Sequence, residues 1–176
     1  MKKTILKPKS RRFILRHITS KDLNGYFESQ QDKDAKKGFM RVPKNLKEAK
    51  KELQEKLNAL KKKTGETFAI EINGEYVGYV EIHDLNQKYH EHKGIIGYCI
   101  CKKFRGKGIA TEAVKLVTDY AFKKYKLKRI SGWCRTFNKA SARVLEKARY
   151  KLEGIMRKNK FRDGKYLDDM IWAKLK

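Results

Sequence analysis

Apolar residues recur along the chain with two periods, and the switches between them mark out helices and strands. Phe13 to Ile18 reads as a short first strand. Thr19-Ser20-Lys21-Asp22 is a helix-start signal, leading a helix to about Glu28. From Gln30 to Pro43 no period holds, and the stretch reads as irregular. Asn45 is placed to cap the next helix, where Leu46, Ala49, Leu53, Leu57 and Leu60 form one apolar stripe among lysines and glutamates. That stripe reads as core packing. Beyond Gly65 the period drops to two: Phe68, Ile70 and Ile72 alternate with polar residues, Asn73-Gly74 is a strong hairpin signal, and Tyr76 to Ile82 returns.

Gly94 to Cys101 is a mostly apolar third strand of this block, read as buried on both faces. The loop Lys102 to Gly108 leads into a helix running to about Lys124, with Ala110, Ala113, Val114, Val117 and Ala121 inward. Arg129 to Cys134 is a strand, Asn138 to Ala148 a helix. Two last strands, Lys151 to Lys160 and Tyr166 to Leu175, are joined by the turn Arg162-Asp163-Gly164-Lys165. The total is about seven strands and about four helices, an α/β chain whose sheet is mixed because hairpins and crossovers both occur. No linker, repeat or low-complexity segment divides it, so 1–176 reads as a single domain with 1–11 a flexible basic N-terminus.

Length permits a substantial core. The basic start, Met1 to Arg12, lacks the apolar run of a signal peptide, and no stretch approaches the roughly 20 apolar residues of a membrane span. The expectation is a cytoplasmic protein with no membrane partner. Cys99 and Cys101 alternate on one strand and cannot pair with each other; with Cys134 they read as reduced thiols. Lysine and arginine number 45 against 20 acidic residues, a net charge of +25. Such a surface attracts nucleic acid, ribosomes, nucleotide cofactors or acidic peptides. The lysines are spread along the chain, however, and a solvated coat arising from genome composition or thermal adaptation accounts for the same count.

The chemistry concentrates where a buried strand meets a loop with two close glycines and then a helix start. Free N–H groups at a helix N-terminus point outward, and glycines admit an anion without a Cβ in the way. Lys102, Lys103, Arg105 and Lys107 add positive charge. A plain tight turn before a helix would look the same. Among ligand loops, the NTPase pattern GxxxxGK followed by Ser or Thr is absent. The dinucleotide pattern GxGxxG is half present, with Thr111 in place of the third glycine and no acidic partner about twenty residues on, at Lys128 to Ile130.

The remaining pattern is R/Q-x-x-G-x-G/A, read here as Arg105-Gly106-Lys107-Gly108-Ile109-Ala110. It resembles the coenzyme-A pyrophosphate loop of the GNAT superfamily of N-acetyltransferases. Ile96-Gly97-Tyr98 before the loop and Thr111-Glu112-Ala113 after it are similar to the branch containing the ribosomal-protein N-terminal acetyltransferases. So are Asn138 to Lys147, Leu152-Glu153-Gly154 and Asp163 to Asp168. The similarity runs from about Phe13 to Leu175 with order and spacing kept. It implies a GNAT-type mixed, mostly antiparallel sheet, acetyl-coenzyme A as cosubstrate, and no metal.

The resemblance also implies roles. The strand before the loop splays from its neighbour and offers backbone to the pantetheine arm, at Ile100, Cys101 and Lys102. The pyrophosphate falls to Arg105, Gly106, Lys107, Gly108, Ile109, Ala110 and Thr111. Asn138, Ser141 and Lys147 lie along the cofactor, although Asn138 is also a good helix N-cap with Ser141 in the first turn. Family members transfer the acetyl group directly, so neither Cys101 nor Cys134 is expected to act as nucleophile. Many members use a helix tyrosine as general acid where Leu145 stands, which leaves Ser141 as the hydroxyl there. Arg149 stands where the family usually has glycine, a costly residue if the helix ends left-handed.

The attacking amine must be neutral. An α-amino group, with a pKa of about 7.7 to 8.0, meets that demand near neutrality far better than lysine at about 10.4. A weak base suffices, and Glu81 or His83 on the strand pair would serve, though both also read as ordinary strand polar residues. The expected acceptor is a protein N-terminal amine, as on a ribosomal protein, with ribosome association through the basic surface. The branch also covers polyamines and small amines; a +25 protein repels spermidine, although screening over about 8 Å lets a local acidic pocket override this. A cofactor-binding relative without catalysis, or a ribosome- or RNA-binding module, would share the fold.

Overall fold

The computed structural model describes residues 5–39 and 41–176. Eight strands form one sheet, in the order β1 (Ile5–Leu6), β2 (Ile14–His17), β3 (Glu66–Ile72), β4 (Glu75–His83), β5 (Lys93–Ile100), β6 (Arg129–Arg135), β8 (Lys165–Leu175), β7 (Lys151–Arg162). Every neighbouring pair is antiparallel except β5 and β6. That pair is parallel because the helix α4 (Ile109–Lys124) carries the chain from one strand to the next.

Two apolar layers hold the sheet between helices. On one face α4 and α5 (Lys139–Lys147) pack Ile109, Ala113, Val114, Val117 and Leu145 against Phe68, Val80, Ile96 and Ile130. On the other, α1 (Leu23–Ser29), α2 (Lys33–Gly38) and α3 (Leu46–Lys62) pack Tyr26, Ala35, Ala49 and Leu53 against Ala69, Tyr79 and Cys99. Asn45 caps α3 as expected, accepting from the Glu48 N–H at 3.0 Å. Leu46, at the start of the apolar stripe, is exposed. Asn73 and Gly74 both have positive φ, 51° and 83°, the turn that suits the twist of a two-residue hairpin.

Four expectations change. The sheet has eight strands rather than seven, because Ile5–Leu6 pair with Leu15 and Arg16 at its edge. That pairing takes in part of the stretch expected as a flexible tail; residues 1–4 lie outside the described residues. A fifth helix, α2, forms in the stretch expected to be irregular: Asp32 caps it, accepting from Asp34 N–H at 3.0 Å and Ala35 N–H at 3.2 Å. Strand β5 is half-buried rather than buried throughout, with Ile95, Gly97 and Tyr98 partly open.

One feature positions the site. Pairing between β5 and β6 covers Lys93–Ile95 with Arg129–Ser131 and ends there. Beyond it β5 stays on β4 up to Ile100, while β6 stays on β8 up to Arg135. The sheet therefore opens into a cleft toward the start of α4.

Candidate active site

The glycine loop stands at the mouth of that cleft. After β5, Lys102–Phe104 form a 3-10 turn, and Gly106 and Gly108 follow with φ of 76° and 75°. Gly108 is the N-cap of α4, and the Glu112 N–H bonds its carbonyl at 3.2 Å. The N–H groups of Ile109, Ala110 and Thr111 precede that bond and have no acceptor within the helix. A Cβ at Gly106 would meet nothing within 4 Å. Open space, outward N–H groups and the exposed Lys102 and Lys107 fit a pyrophosphate.

Arg105 points elsewhere. Its Nε donates to the Ile100 carbonyl at 2.8 Å, and its Nη1 and Nη2 grip Asp32 at 2.9 and 2.6 Å. The guanidinium ties the end of β5 to the cap of α2, which is where the expected phosphate ligand is committed. The backbone expected to hold the pantetheine is also engaged. The Cys101 N–H bonds Val77 O, its carbonyl accepts from Phe104, and the Ile100 carbonyl is held by Arg105. Since Cys101 faces β4, the alternation of an antiparallel pair turns Ile96 and Tyr98 toward the cleft. The free backbone thus lies further back along β5.

Asn138 and Ser141 meet at the start of α5. The Asn138 Oδ1 accepts from the Ser141 N–H at 3.1 Å, so Asn138 caps the helix. The Ser141 Oγ lies 2.7 Å from the Tyr98 hydroxyl across the cleft. Burial, against the hydrogen bond with Ser141, holds the Tyr98 phenol well above its ordinary range, so it stays protonated. Leu145, where a tyrosine was the alternative, is buried against Gly132. Lys147 is exposed on the last turn of α5. Burial pushes the Cys99 thiol up to about 12 and raises Cys101 and Cys134 too. Protonated thiols make poor nucleophiles.

Glu81 is neither exposed nor free. Its Oε2 accepts from Lys56 Nζ at 2.5 Å and from Thr67 Oγ1 at 3.0 Å, while Oε1 rests against Gly97 of β5. Burial alone would raise its carboxyl, but Lys56, His83 and Thr67 outweigh that and hold it below the usual range. The partly exposed His83 sits 3.4 Å from Asp84.

Several residues of the site were not legible from sequence. Tyr98 stood inside a quoted motif without a role. Gly38 of α2 lies against Asn138, where a Cβ would be 3.2 Å from Nδ2. Arg162 of the β7–β8 hairpin donates to the carbonyls of Lys36 and Phe39 at 2.6 and 2.7 Å. Arg135 and Asp169, both buried at the end of the β6–β8 pair, are bonded at 2.5 Å, and Asn159 completes the aspartate at 2.8 Å. Helix α2 is therefore a wall over the cleft, held from the cofactor loop and from the hairpin. The sequence signals for it were short-range: Asp32 at the cap, Asp34 in the first turn, and Lys36 and Lys37 in the last.

Comparisons with known proteins agree with this geometry. The model of the "Acetyltransferase (GNAT) domain" matches residues 12–151. "Probable N-acetyltransferase YjcK" of Bacillus subtilis is 50% identical over 78 residues, 44% of this chain and 43% of that protein. The match thus spans less than half of that relative's length. "Uncharacterized N-acetyltransferase YoaA" of the same organism is 27% identical over 168 residues, 94% of each chain. An acetyltransferase from Salmonella typhimurium, described as modifying the N-terminal serine of 50S ribosomal subunit protein L7/L12, superposes with a TM-score of 0.86. It is 20% identical, and the superposition covers 98% of this chain and 99% of that one. With its splayed strands, its glycine loop and this family match over most of its length, the chain belongs to the GNAT acetyltransferase family.

Proposed function

We propose that the protein transfers the acetyl group of acetyl-coenzyme A directly to the N-terminal α-amine of a protein. The pyrophosphate sits on Gly106, Lys107, Gly108 and the N–H groups of Ile109, Ala110 and Thr111, with the pantetheine between β5 and β6 beside Tyr98, Asn138 and Ser141. The neutral amine attacks the thioester carbonyl; the C–N bond forms, the C–S bond breaks, and the amine loses a proton. Ser141, held by Tyr98, donates its hydrogen bond to the departing sulfur. Glu81 stays ionised at working pH; although its Oε2 is paired with Lys56, it is the carboxylate we assign to take the amine proton, through water.

The observation that carries the choice of acceptor is the state of the acids beside the cleft. Asp32, Glu81 and Asp169 are each bound to an arginine or lysine, while β7 presents the exposed Arg157 and Lys158. A polyamine needs uncommitted carboxylates and meets cations instead. An N-terminus followed by neutral or acidic residues does not. The likeness to the L7/L12-modifying enzyme supports the same reading.

The test is incubation with acetyl-coenzyme A and a panel of N-terminal peptides and polyamines, following thiol release and locating the acetyl group by mass spectrometry. Acetylation of peptide α-amines is expected. Faster turnover of spermidine than of every peptide would overturn the acceptor assignment, and no thiol release with any amine would overturn the activity.

A further inference from the structure

Arg12 precedes β2 and belongs to no helix or strand, yet its side chain reaches Lys107 in the loop before α4, 95 residues away in the chain. Its Nε and Nη2 hold Glu112 Oε2 at 2.8 and 2.7 Å, and its Nη1 donates to the Lys107 carbonyl at 2.8 Å. A Cβ at Gly108 would lie 3.4 Å from Nη2, so the guanidinium flanks the turn itself.

The location of Glu112 explains what this contact is for. An acid in the first turn suits the helix dipole. The same turn carries the N–H groups that face an anion, and there a bare carboxylate repels what the N–H groups attract. The Lys107 carbonyl raises a second conflict, since an oxygen turned into the loop would also oppose a phosphate. One guanidinium answers both, and its planar fork suits the task better than an ammonium.

We propose that Arg12 is a positioning residue of the coenzyme-A site: it neutralises Glu112 beside the pyrophosphate and holds the Lys107 carbonyl out of the loop. The inference rests on the acetyl-coenzyme-A reading of the glycine loop and extends it to an N-terminal residue and an acid.

Calorimetric titration of coenzyme A into the wild type, Arg12→Ala, Glu112→Gln and the double variant separates the possibilities, with melting temperatures recorded alongside. Arg12→Ala is expected to weaken binding roughly tenfold, the scale of one partly screened charge. Glu112→Gln alone should bind at least as well as wild type, and the double variant should recover to within about threefold of it. In turnover the loss appears in KM for acetyl-coenzyme A rather than in kcat, it shrinks at high salt, and Arg12→Lys restores it in part. Unchanged affinity in Arg12→Ala, or an equal loss in the single and double variants, overturns the role. A wild type that itself fails to bind coenzyme A overturns the loop reading, and this inference with it.

Discussion

The Tyr98 hydroxyl bridges to helix α5, 2.7 Å from the Ser141 Oγ and 3.1 Å from the Ser141 carbonyl. The contact spans the cleft between β5 and β6, so the strand supplies the second hydroxyl that α5 lacks at Leu145. Ser141→Ala should lower kcat by about 100-fold, the lower end of what a positioned proton donor contributes. Tyr98→Phe should cost less, about tenfold, because the serine remains but is no longer oriented. Both effects should fall on kcat with acetyl-coenzyme-A affinity nearly kept, as steady-state kinetics and calorimetry would show.

Asp32 has two tasks, capping α2 and receiving Arg105. Asp32→Asn keeps the cap and removes the charge pair, a loss of about 1 kcal/mol for a partly exposed bidentate contact. The wall over the cleft should then loosen. Hydrogen exchange in 33–38 should quicken and the KM for the acceptor should rise several-fold, while coenzyme-A affinity stays within about twofold. Equal losses for both substrates would show that Arg105 serves the cofactor directly.

Glu66 is the acid on which the far end of α4 rests. Its buried carboxylate accepts from His17 Nε2 at 2.6 Å, Lys124 Nζ at 2.5 Å and Tyr120 at 3.1 Å, with Tyr125 as a further partner. Burial would raise its pKa, but these partners lower it to about 2. A depressed pKa stabilises the fold above the unfolded value near 4.5 and loses that contribution as pH falls toward 2. Urea melts of wild type and Glu66→Gln should differ by about 3 kcal/mol at pH 6. The difference should shrink steadily between pH 4.5 and pH 2.

Arg149 ends α5 with φ 67°, its N–H on Glu146 O and the next N–H, of Tyr150, on Leu145 O. This is the left-handed helix end that favours glycine. Arg149→Gly should raise stability by about 1 kcal/mol and the melting temperature by about 2–4 °C without altering turnover.

What could be read from the chain followed the range of the interaction. Asn73-Gly74, the Asn45 cap and the left-handed Arg149 are decided within a few residues, and the expected turn, helix start and strained helix end are all present. The glycine loop was legible for the same reason. Helix α2 was not, because its six residues carry no apolar period and its stability comes from Arg105 and Arg162. The direction of Arg105 depends on an aspartate 73 residues away, and the Tyr98–Ser141 contact on the parting of two strands. Spacing along the sequence records neither.

The short register between β5 and β6 bears on cohesion as well as catalysis. Only three residue pairs of backbone ladder join a five-stranded half-sheet, β1 to β5, to a three-stranded one, β6, β8 and β7; the rest of the joint is side-chain packing and the contacts of Tyr98 and Arg162. A thioester bound there, as proposed, would take the place of the missing ladder and bind only the assembled form. At a hundred times its dissociation constant it would add about 2.7 kcal/mol to the stability of the whole. On the proposed reading, resistance to unfolding would track the supply of acetyl donor, and a starved enzyme would also be a more fragile one.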